Sequence, residues 1–372
     1  MSGRLSHRFI IAKGLEWRDE YNQERRSLKA VMKVDPTPGI KVMDIDKPKP
    51  GPRDVLVRVR ATAYCGSDMH LYKWDAQAVK WNSPLPRVLG HEFSGDVVEV
   101  GKNVTMVKAG DLVAGETHIP CEHCYMCRTG RMHICENMKI LGVHVPEGSF
   151  AEYLVIPETI AYKLPAGTPY DVGALYEPCG VAMHAVQRAQ PNPGDTAVVL
   201  GCGPIGMYVQ QIMKALGCDV IATDVKKFRI DHAKKVGAAR EVIDTSVGNA
   251  VEKVKSAIGQ RGADIVFEAA GSGETIKQSL DMVAKAGKVV LFGASPDNPV
   301  LDTTTYIVYK EIDVLGMTGR YMFSTWDRVQ RLVSRGLVNL KSVITHQLPL
   351  EKAEEGFQLL LKGEASKIIL TP

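Results

Sequence analysis

The strongest constraint on the fold is a glycine-rich turn that joins an apolar run to a helical repeat. The run Val198–Leu200 leads directly into Gly201-Cys202-Gly203-Pro204-Ile205-Gly206, and apolar residues at helical spacing follow. Such glycines permit a tight turn and let a pyrophosphate approach the backbone at a helix N-terminus. The pattern predicts a dinucleotide site at Gly201, Gly203 and Gly206; a glycine-rich turn without a ligand is the alternative.

An acidic residue follows where such a site needs one. Asp224 lies 23 residues after Gly201, close to the separation of about 20 that is typical of an acid binding the adenosine ribose. A carboxylate there repels a 2′-phosphate, which favours NAD over NADP. The positive charges of Lys226 and Lys227 weaken that preference slightly.

The patterns on either side of Pro191–Asp195 predict two different architectures. Residues 28–184 contain short alternating strands broken by Pro and Gly, typical of a small β-barrel or sandwich. Residues 185–319 instead alternate apolar strands with helices, which indicates a doubly wound Rossmann-type α/β domain with a parallel sheet. Residues 320–372 return to mixed texture, with a helix near Leu350–Lys362 and a terminal strand, Lys367–Thr371. The predicted apolar strands are Thr196–Leu200, Val220–Thr223, Asp264–Glu268, Lys288–Phe292 and Ile312–Leu315.

Four of the eight cysteines form one closely spaced cluster. Cys121, Cys124, Cys127 and Cys135 lie within one short segment, 121–135, where thiolates can converge on one tetrahedral ion at about 2.3 Å each. Four sulfur ligands leave no open position, so a structural zinc ion is favoured over an iron–sulfur cluster or free thiols. With four sulfurs available, His123 and His133 are expected to be solvated rather than ligands.

A second set of potential ligands lies outside that cluster. Cys65 and the pair His91-Glu92 offer a thiolate, an imidazole and a carboxylate. Three protein ligands with a fourth position open are the arrangement of catalytic zinc. Either segment alone would be an ordinary strand end, and a lone histidine is more often structural; the neighbouring dinucleotide motif favours a catalytic site.

Composition excludes several other functions. The net charge is only +4, the aromatic content is 6%, and no block of five or six like charges occurs, so a nucleic-acid partner is not expected. No apolar run approaches the roughly 18 residues of a membrane helix. Met1–Ser27 mixes arginines with acids and lacks an apolar core, so neither a secretory signal nor a transit peptide is expected. These features predict a soluble, cytoplasmic protein with a small-molecule substrate.

These motifs resemble the zinc-dependent medium-chain dehydrogenase/reductase family over nearly the whole chain from about Leu28. The shared strings are Cys65-Gly66-Ser67-Asp68-x-His70, Gly90-His91-Glu92, the four-cysteine segment, Glu177-Pro178 and the Gly201–Gly206 turn. Other strings resemble the family members that oxidise L-threonine. They are His70-Leu71-Tyr72-Lys73-Trp74-Asp75, Gly115-Glu116-Thr117-His118-Ile119, Gly319-Arg320-Tyr321-Met322-Phe323-x-Thr325-Trp326 and Ile344-Thr345-His346.

The resemblance implies a GroES-like β-barrel catalytic domain, a Rossmann domain, and two zinc ions per chain, one structural and one catalytic. Cys65, His91 and either Glu92 or Glu177 would hold the catalytic zinc, and Asp68 would orient a ligand imidazole. Zinc would act as a Lewis acid that lowers the pKa of the substrate alcohol, and hydride would pass to the nicotinamide. Ser67 would accept the alcohol proton and His70 would pass it to solvent.

The same resemblance assigns the remaining site residues. His118 would line the substrate pocket. Apart from the resemblance, an amino-acid substrate needs a partner for its carboxylate, and Arg320 is a candidate; a cofactor contact or a structural ion pair is the equal alternative. The residues expected at the cofactor are Ile205, Asp224, Arg229, Phe292, Gly293, Ala294, Met317 and Thr318.

The expected reaction is NAD-dependent oxidation of L-threonine to L-2-amino-3-oxobutanoate. The alternatives are a polyol, 2,3-butanediol or sugar-acid dehydrogenase of the same family, or a zinc-free nucleotide-binding or quinone-reductase-like protein. Glu177-Pro178-Cys179-Gly180-Val181 lies between the pattern of threonine enzymes and that of polyol enzymes. The family also implies a homo-oligomer, a tetramer rather than a dimer. No role is predicted for Met1–Ser27.

Overall fold

Short strands and few helices make up the first part of the chain, as the alternating patterns predict. The computed structural model describes residues 28–295 and 299–372; Met1–Ser27 lie outside the described residues. The strands are β1 (Leu28–Lys33), β2 (Lys41–Ile45), β3 (Asp54–Ala63), β4 (Arg87–Val88), β5 (Glu92–Val100), β6 (Leu112–Gly115), β7 (His118–Ile119), β8 (Lys139–Ile140), β9 (Tyr153–Pro157) and β10 (Ala161–Lys163). The helices are α1 (Gly66–Lys73), α2 (Ala76–Trp81), α3 (Tyr125–Arg128), α4 (Tyr170–Gly173) and α5 (Tyr176–Ala189). Short 3₁₀ turns occupy Met132–Ile134 and Glu158–Ile160.

Strands and helices alternate from residue 196 onward. This region contains β11 (Thr196–Leu200), α6 (Pro204–Ala215), β12 (Asp219–Asp224), α7 (Lys227–Val236), β13 (Glu241–Asp244), α8 (Ala250–Ile258), β14 (Ala263–Glu268), α9 (Gly273–Met282), β15 (Val283–Leu291) and β16 (Asp313–Gly316). A π-helical turn spans Thr304–Val308. The chain continues with α10 (Ser324–Ser334), β17 (Ile344–Pro349), α11 (Ala353–Lys362) and β18 (Lys367–Thr371), with 3₁₀ turns at Leu340–Val343 and Leu350–Lys352.

The predicted doubly wound sheet is confirmed. Six parallel strands lie in the order β13-β12-β11-β14-β15-β16. Its central strands are almost wholly buried because their runs of Val, Leu, Ile and Ala are covered on both faces. The edge strand β13 was not among the runs predicted from the sequence, since it is short and only Val242 is buried. The strand order reverses between β11 and β14, so a crevice opens at the carboxyl ends of these two strands.

The first region is built on a second sheet that the end of the chain completes. Its order is β10-β6-β5-β3-β18-β17, and β9 also pairs with β3. The terminal strand β18 pairs antiparallel with β3, with Ile369 opposite Ala63. Helix α5 connects the two sheets, and its Ala182, Ala185 and Ala189 belong to the core cluster that spans them. No helix within 28–295 and 299–372 is both long and apolar enough to cross a membrane.

Candidate active site and metal centres

Three predicted metal ligands lie together where β3 ends and β5 begins. Cys65 follows β3, Glu92 is the first residue of β5, and His91 directly precedes it. The antiparallel pairing of the two strands sets Ala63 opposite Glu92 and so brings both segments to one point. The ligand atoms of Cys65, His91 and Glu92 all lie within 4.8 Å of one another. Thiolate, imidazole and carboxylate thus form a three-ligand group that suits a zinc ion with a fourth position open.

Asp68 ties the two ligand segments to each other. Its fully buried carboxylate accepts a hydrogen bond from the Cys65 amide at 2.9 Å and another from the Gly90 amide at 3.1 Å. One of its oxygens also lies 3.9 Å from Nδ1 of His91. That buried nitrogen has no hydrogen-bond partner among the described residues, so the Asp68 carboxylate is the polar group that Nδ1 faces. This arrangement fits a metal-bound histidine oriented by a carboxylate.

Lys367 is a member of this site that the sequence did not indicate. Its ammonium group contacts both carboxylate oxygens of Glu92, at 2.9 and 2.7 Å, and donates a 2.6 Å hydrogen bond to the Tyr64 carbonyl. Lys367 and Glu92 are 275 residues apart in the chain and both are buried. The last strand of the chain therefore supplies a counter-charge to one of the candidate ligands.

Glu177, the other candidate carboxylate, is not part of the three-ligand group. It lies in the first turn of α5, where its Oε1 is 2.8 Å from Nη1 of Arg320. Arg320 also donates from Nε to Oε2 of Glu116 at 2.8 Å, and its side chain is only 2% exposed. The structure therefore supports the ion-pair alternative for Arg320, because this guanidinium bridges two buried carboxylates rather than facing an open pocket.

Glu116 is a second charged residue to which sequence analysis assigned no role. Burial raises the pKa of this carboxyl, but attraction to Arg320 and a hydrogen bond from His118 outweigh it and hold the pKa well below its usual range. Glu116 also accepts a 3.0 Å hydrogen bond from the indole of Trp326. The His118 ring lies 2.9 Å from both Glu116 and Nη2 of Arg320. His118 is thus oriented by the same ion pairs, and its side chain is 12% exposed.

The two residues predicted to move the proton lie on α1, beside the three-ligand group. Oγ of Ser67 is 3.5 Å from Nε2 of His91. Nδ1 of His70, one turn further along the helix, is 2.7 Å from a carboxylate oxygen of Asp75. The His70 side chain is 39% exposed. The helix therefore leads from the candidate metal site towards solvent.

The sulfur atoms of the four-cysteine cluster converge on one point, and all four come from the single segment 121–135. All four sulfur atoms lie within 4.8 Å of one another, with Cys124 3.5 Å from Cys127 and 3.8 Å from Cys135. Four sulfurs bonded at 2.3 Å to one ion would form a tetrahedron with edges of about 3.8 Å, whereas an iron–sulfur core would hold them further apart. The backbone amides of Cys121 and Asn137 point at the Cys135 sulfur, at 3.2 and 3.3 Å. The cluster fits a structural zinc site.

The expectation that His133 is solvated is wrong. His123 is exposed, but His133 is only 7% exposed. The His133 ring packs against His184 and Tyr321, with centroids 5.2 and 4.5 Å away. Burial lowers the pKa of His133 to about 4. The segment that carries the four cysteines, 121–135, is thus joined by ring packing to Tyr321, the residue that follows Arg320.

The predicted cofactor residues collect at the carboxyl edge of the parallel sheet. Gly201 has a φ of +106°, and a side chain at Gly206 would collide with the Gly201 carbonyl, so the turn requires glycine at both positions. Asp224, at the end of β12, accepts 2.8 Å hydrogen bonds from the amides of Cys202 and Lys226. Nη1 of Arg229 lies 4.0 Å from the Asp224 carboxylate.

The remaining predicted cofactor residues lie at the same edge. Ile205 is in the first turn of α6, Gly203 caps that helix, and the others follow β15 or β16. The residues that follow these two strands are Phe292, Gly293, Ala294, Met317 and Thr318.

Comparison with known families matches most of the chain. Residues 51–166 match the alcohol dehydrogenase GroES-like domain, and residues 204–335 match the zinc-binding dehydrogenase family. An L-threonine 3-dehydrogenase from Bacillus velezensis is 42% identical over 347 residues, which cover 93% of this chain and 99% of the relative.

Solved structures give the same result. A 2R,3R-butanediol dehydrogenase from Bacillus subtilis is 31% identical and superposes with a TM-score of 0.83, covering 93% of this chain and all of its own. An alcohol dehydrogenase from Escherichia coli, crystallised with NADH, is 27% identical with a TM-score of 0.84, covering 93% of this chain and 99% of its own. Together with the two metal groups and the cofactor crevice, these matches show that the chain belongs to the zinc-containing, NAD(P)-dependent medium-chain alcohol dehydrogenase family.

Proposed function

We propose that this chain oxidises the 3-hydroxyl of L-threonine to L-2-amino-3-oxobutanoate, with NAD as the hydride acceptor. The observation that carries the proposal is the 42% identity, over 93% of this chain, to an L-threonine 3-dehydrogenase. The ligand geometry at Cys65, His91 and Glu92 supports the reaction type.

Each residue of the site has a distinct task in this proposal. Cys65, His91 and Glu92 would hold zinc, which when bound polarises the substrate hydroxyl and lowers its pKa. Ser67, whose Oγ is 3.5 Å from Nε2 of His91, would take the hydroxyl proton. His70, which is held by Asp75 and partly exposed, would pass that proton to solvent.

The carboxylate of Asp224 supports NAD rather than NADP. Each of its oxygens already accepts one hydrogen bond from a backbone amide. These two bonds orient the carboxylate and leave lone pairs free to accept hydrogen bonds from ribose hydroxyls. A 2′-phosphate at this position would meet a buried negative charge. Single-turnover assays with both cofactors test the assignment. We expect the efficiency of hydride transfer to be about tenfold higher with NAD than with NADP, and equal efficiency would contradict the assignment.

The substrate is tested by following NADH formation with the zinc-loaded enzyme. L-threonine, L-allo-threonine, 2,3-butanediol and sorbitol are offered in parallel at equal concentration. The proposal predicts a kcat/KM for L-threonine well above the other three. Turnover only with the diol or the polyol would overturn the threonine assignment and leave the zinc mechanism in place.

The second candidate is oxidation of a vicinal diol. It is favoured by the likeness to 2R,3R-butanediol dehydrogenase, at 31% identity and a TM-score of 0.83. The burial of Arg320 between two carboxylates adds to it, because the guanidinium expected to bind an amino-acid carboxylate is already paired. The same parallel assay decides between the two candidates.

We also propose a homo-oligomer, a tetramer rather than a dimer. Strand β16 forms one edge of the parallel sheet, and its Val314 is 39% exposed. A strand edge that no other strand of the described residues covers, and that carries an exposed apolar side chain, is suited to association with another chain. Light scattering coupled to size-exclusion chromatography measures the state directly; a tetrameric mass at micromolar concentration is expected, and a dimeric or monomeric mass would contradict the proposal.

A further inference from the structure

A fully buried carboxylate lies at the reversal point of the parallel sheet and takes no part in the mechanism above. Glu268 is the last residue of β14 and is 0% exposed. It lies in register with Leu200 of β11 on one side and Leu291 of β15 on the other. Glu268 is therefore at the centre of the edge where the cofactor crevice opens.

The Glu268 carboxylate holds the loop that follows its own strand. Its Oε1 accepts hydrogen bonds from the amides of Ala270 and Gly271, at 3.0 and 2.7 Å, and from the Thr275 hydroxyl at 2.8 Å. The Glu268 carbonyl accepts a further 3.1 Å hydrogen bond from the Gly293 amide. One residue thus connects the loop after β14 with the end of β15.

Three glycines allow these segments to pack without side chains between them. A Cβ on Gly201 would lie 3.1 Å from the Ala270 nitrogen, and one on Gly271 would lie 2.7 Å from the Ala294 carbonyl oxygen. A Cβ on Gly293 would lie 2.6 Å from Oε2 of Glu268. The loop of residues 269–271 is therefore packed between the pyrophosphate turn and the end of β15.

Stability alone does not account for a carboxylate at this position. Oε2 of Glu268 is buried, and among the described residues it has no hydrogen-bond partner. A buried carboxylate oxygen without a partner costs folding free energy. The oxygen that a functional role would use is the other one, Oε1, which holds Ala270, Gly271 and Thr275.

We propose that Glu268 is a positioning residue for the nicotinamide half of the cofactor. Asp224 on β12 marks the adenosine end, and the turn after β11 receives the pyrophosphate, so β14 and β15 lie beside the other half. By holding residues 269–271 against Gly293, Glu268 sets the wall against which the nicotinamide ribose lies.

The test compares two ligands that share the adenosine end. Isothermal titration calorimetry measures the Kd of NADH and of ADP-ribose for the wild type, Glu268→Ala and Glu268→Gln. We expect Glu268→Ala to raise the Kd of NADH by about tenfold and the Kd of ADP-ribose by less than about twofold. Glutamine keeps an acceptor oxygen for Ala270, Gly271 and Thr275, so Glu268→Gln should bind NADH within about twofold of the wild type.

A purely structural role for Glu268 predicts a different outcome. Loss of NADH and ADP-ribose affinity by the same factor, or of neither, would overturn the proposal, as would a Glu268→Gln variant as weak as Glu268→Ala. The matched control is Ser279→Ala on α9: Ser279 is buried, and the change removes its 2.6 Å hydrogen bond to the Ile276 carbonyl without touching the loop. It should leave the ratio of the two Kd values unchanged.

Discussion

The two metal groups of this chain differ in how their charges are balanced. In the four-cysteine cluster, backbone amides of the same short segment point at the sulfurs, as those of Cys121 and Asn137 do at Cys135. In the group of Cys65, His91 and Glu92, a buried lysine from the last strand pairs with one ligand. The Arg320–Glu177 pair adds a further buried cation and anion nearby.

This difference separates a site that stabilises from a site that reacts. Four thiolates around one ion would complete its coordination, so an ion there would only hold the four-cysteine segment together. Three mixed ligands would leave one position open for substrate, and the neighbouring buried ion pairs would compensate the charges around it. Variants of the two metal groups should therefore differ in whether they lose activity or stability, and measuring both quantities for each variant tests the comparison.

The largest effect is expected from Cys65→Ser. Loss of the thiolate should remove the catalytic zinc and lower kcat on the order of 10³-fold, because the hydroxyl would no longer be polarised. Elemental analysis should show one zinc fewer per chain, and the thermal midpoint should change little. Cys218→Ser, outside both groups, is the control. Full zinc content with normal kcat in Cys65→Ser would contradict the assignment.

The next effect is expected from Arg320→Leu. Removing this cation leaves Glu116 and Glu177 buried without their shared partner, which should cost about 3–5 kcal/mol of unfolding free energy. Denaturant unfolding measures the loss, and a double variant that also carries Glu116→Gln should recover part of it. An unchanged stability together with a raised KM for L-threonine would instead restore the substrate-carboxylate role.

The sequence predicts those parts of the site that depend on local spacing. The four cysteines and the Gly201–Gly206 turn each lie in one short segment, so the residue types and their separations already define the chemistry. Glu116 and Lys367 carry no such signal, because their charged partners Arg320 and Glu92 are 204 and 275 residues away and meet them only in the folded chain. For the same reason the sequence could not decide whether Arg320 contacts the substrate or forms an ion pair.

A smaller effect, on stability rather than chemistry, is expected from Cys127→Ser. This change opens the sulfur cluster, so the lobe zinc should be lost and the midpoint of thermal unfolding should fall by about 5 °C. Below that midpoint, kcat should stay within about twofold of the wild type because the Cys65 group is untouched. Calorimetry measures the thermal midpoint and NADH formation measures kcat, both on the same samples. Loss of activity without loss of stability would break the division between the two sites.

The smallest effect tests whether Lys367 and the metal share the task of neutralising Glu92. Burial raises the pKa of Glu92 well above its usual range, so in metal-free Lys367→Met this carboxyl can take up a proton instead of remaining as an unpaired charge. The metal-free variant should therefore lose only about 2 °C of thermal midpoint, and added zinc should restore most of it. The zinc-induced rise should therefore be larger than in the wild type. Lys33→Met is the matched control: Lys33 is equally buried, but its ammonium contacts backbone carbonyls, at 2.9 Å from Gly39 and 3.2 Å from Tyr72. An equal zinc-induced rise in both variants would show that Lys367 serves the fold alone.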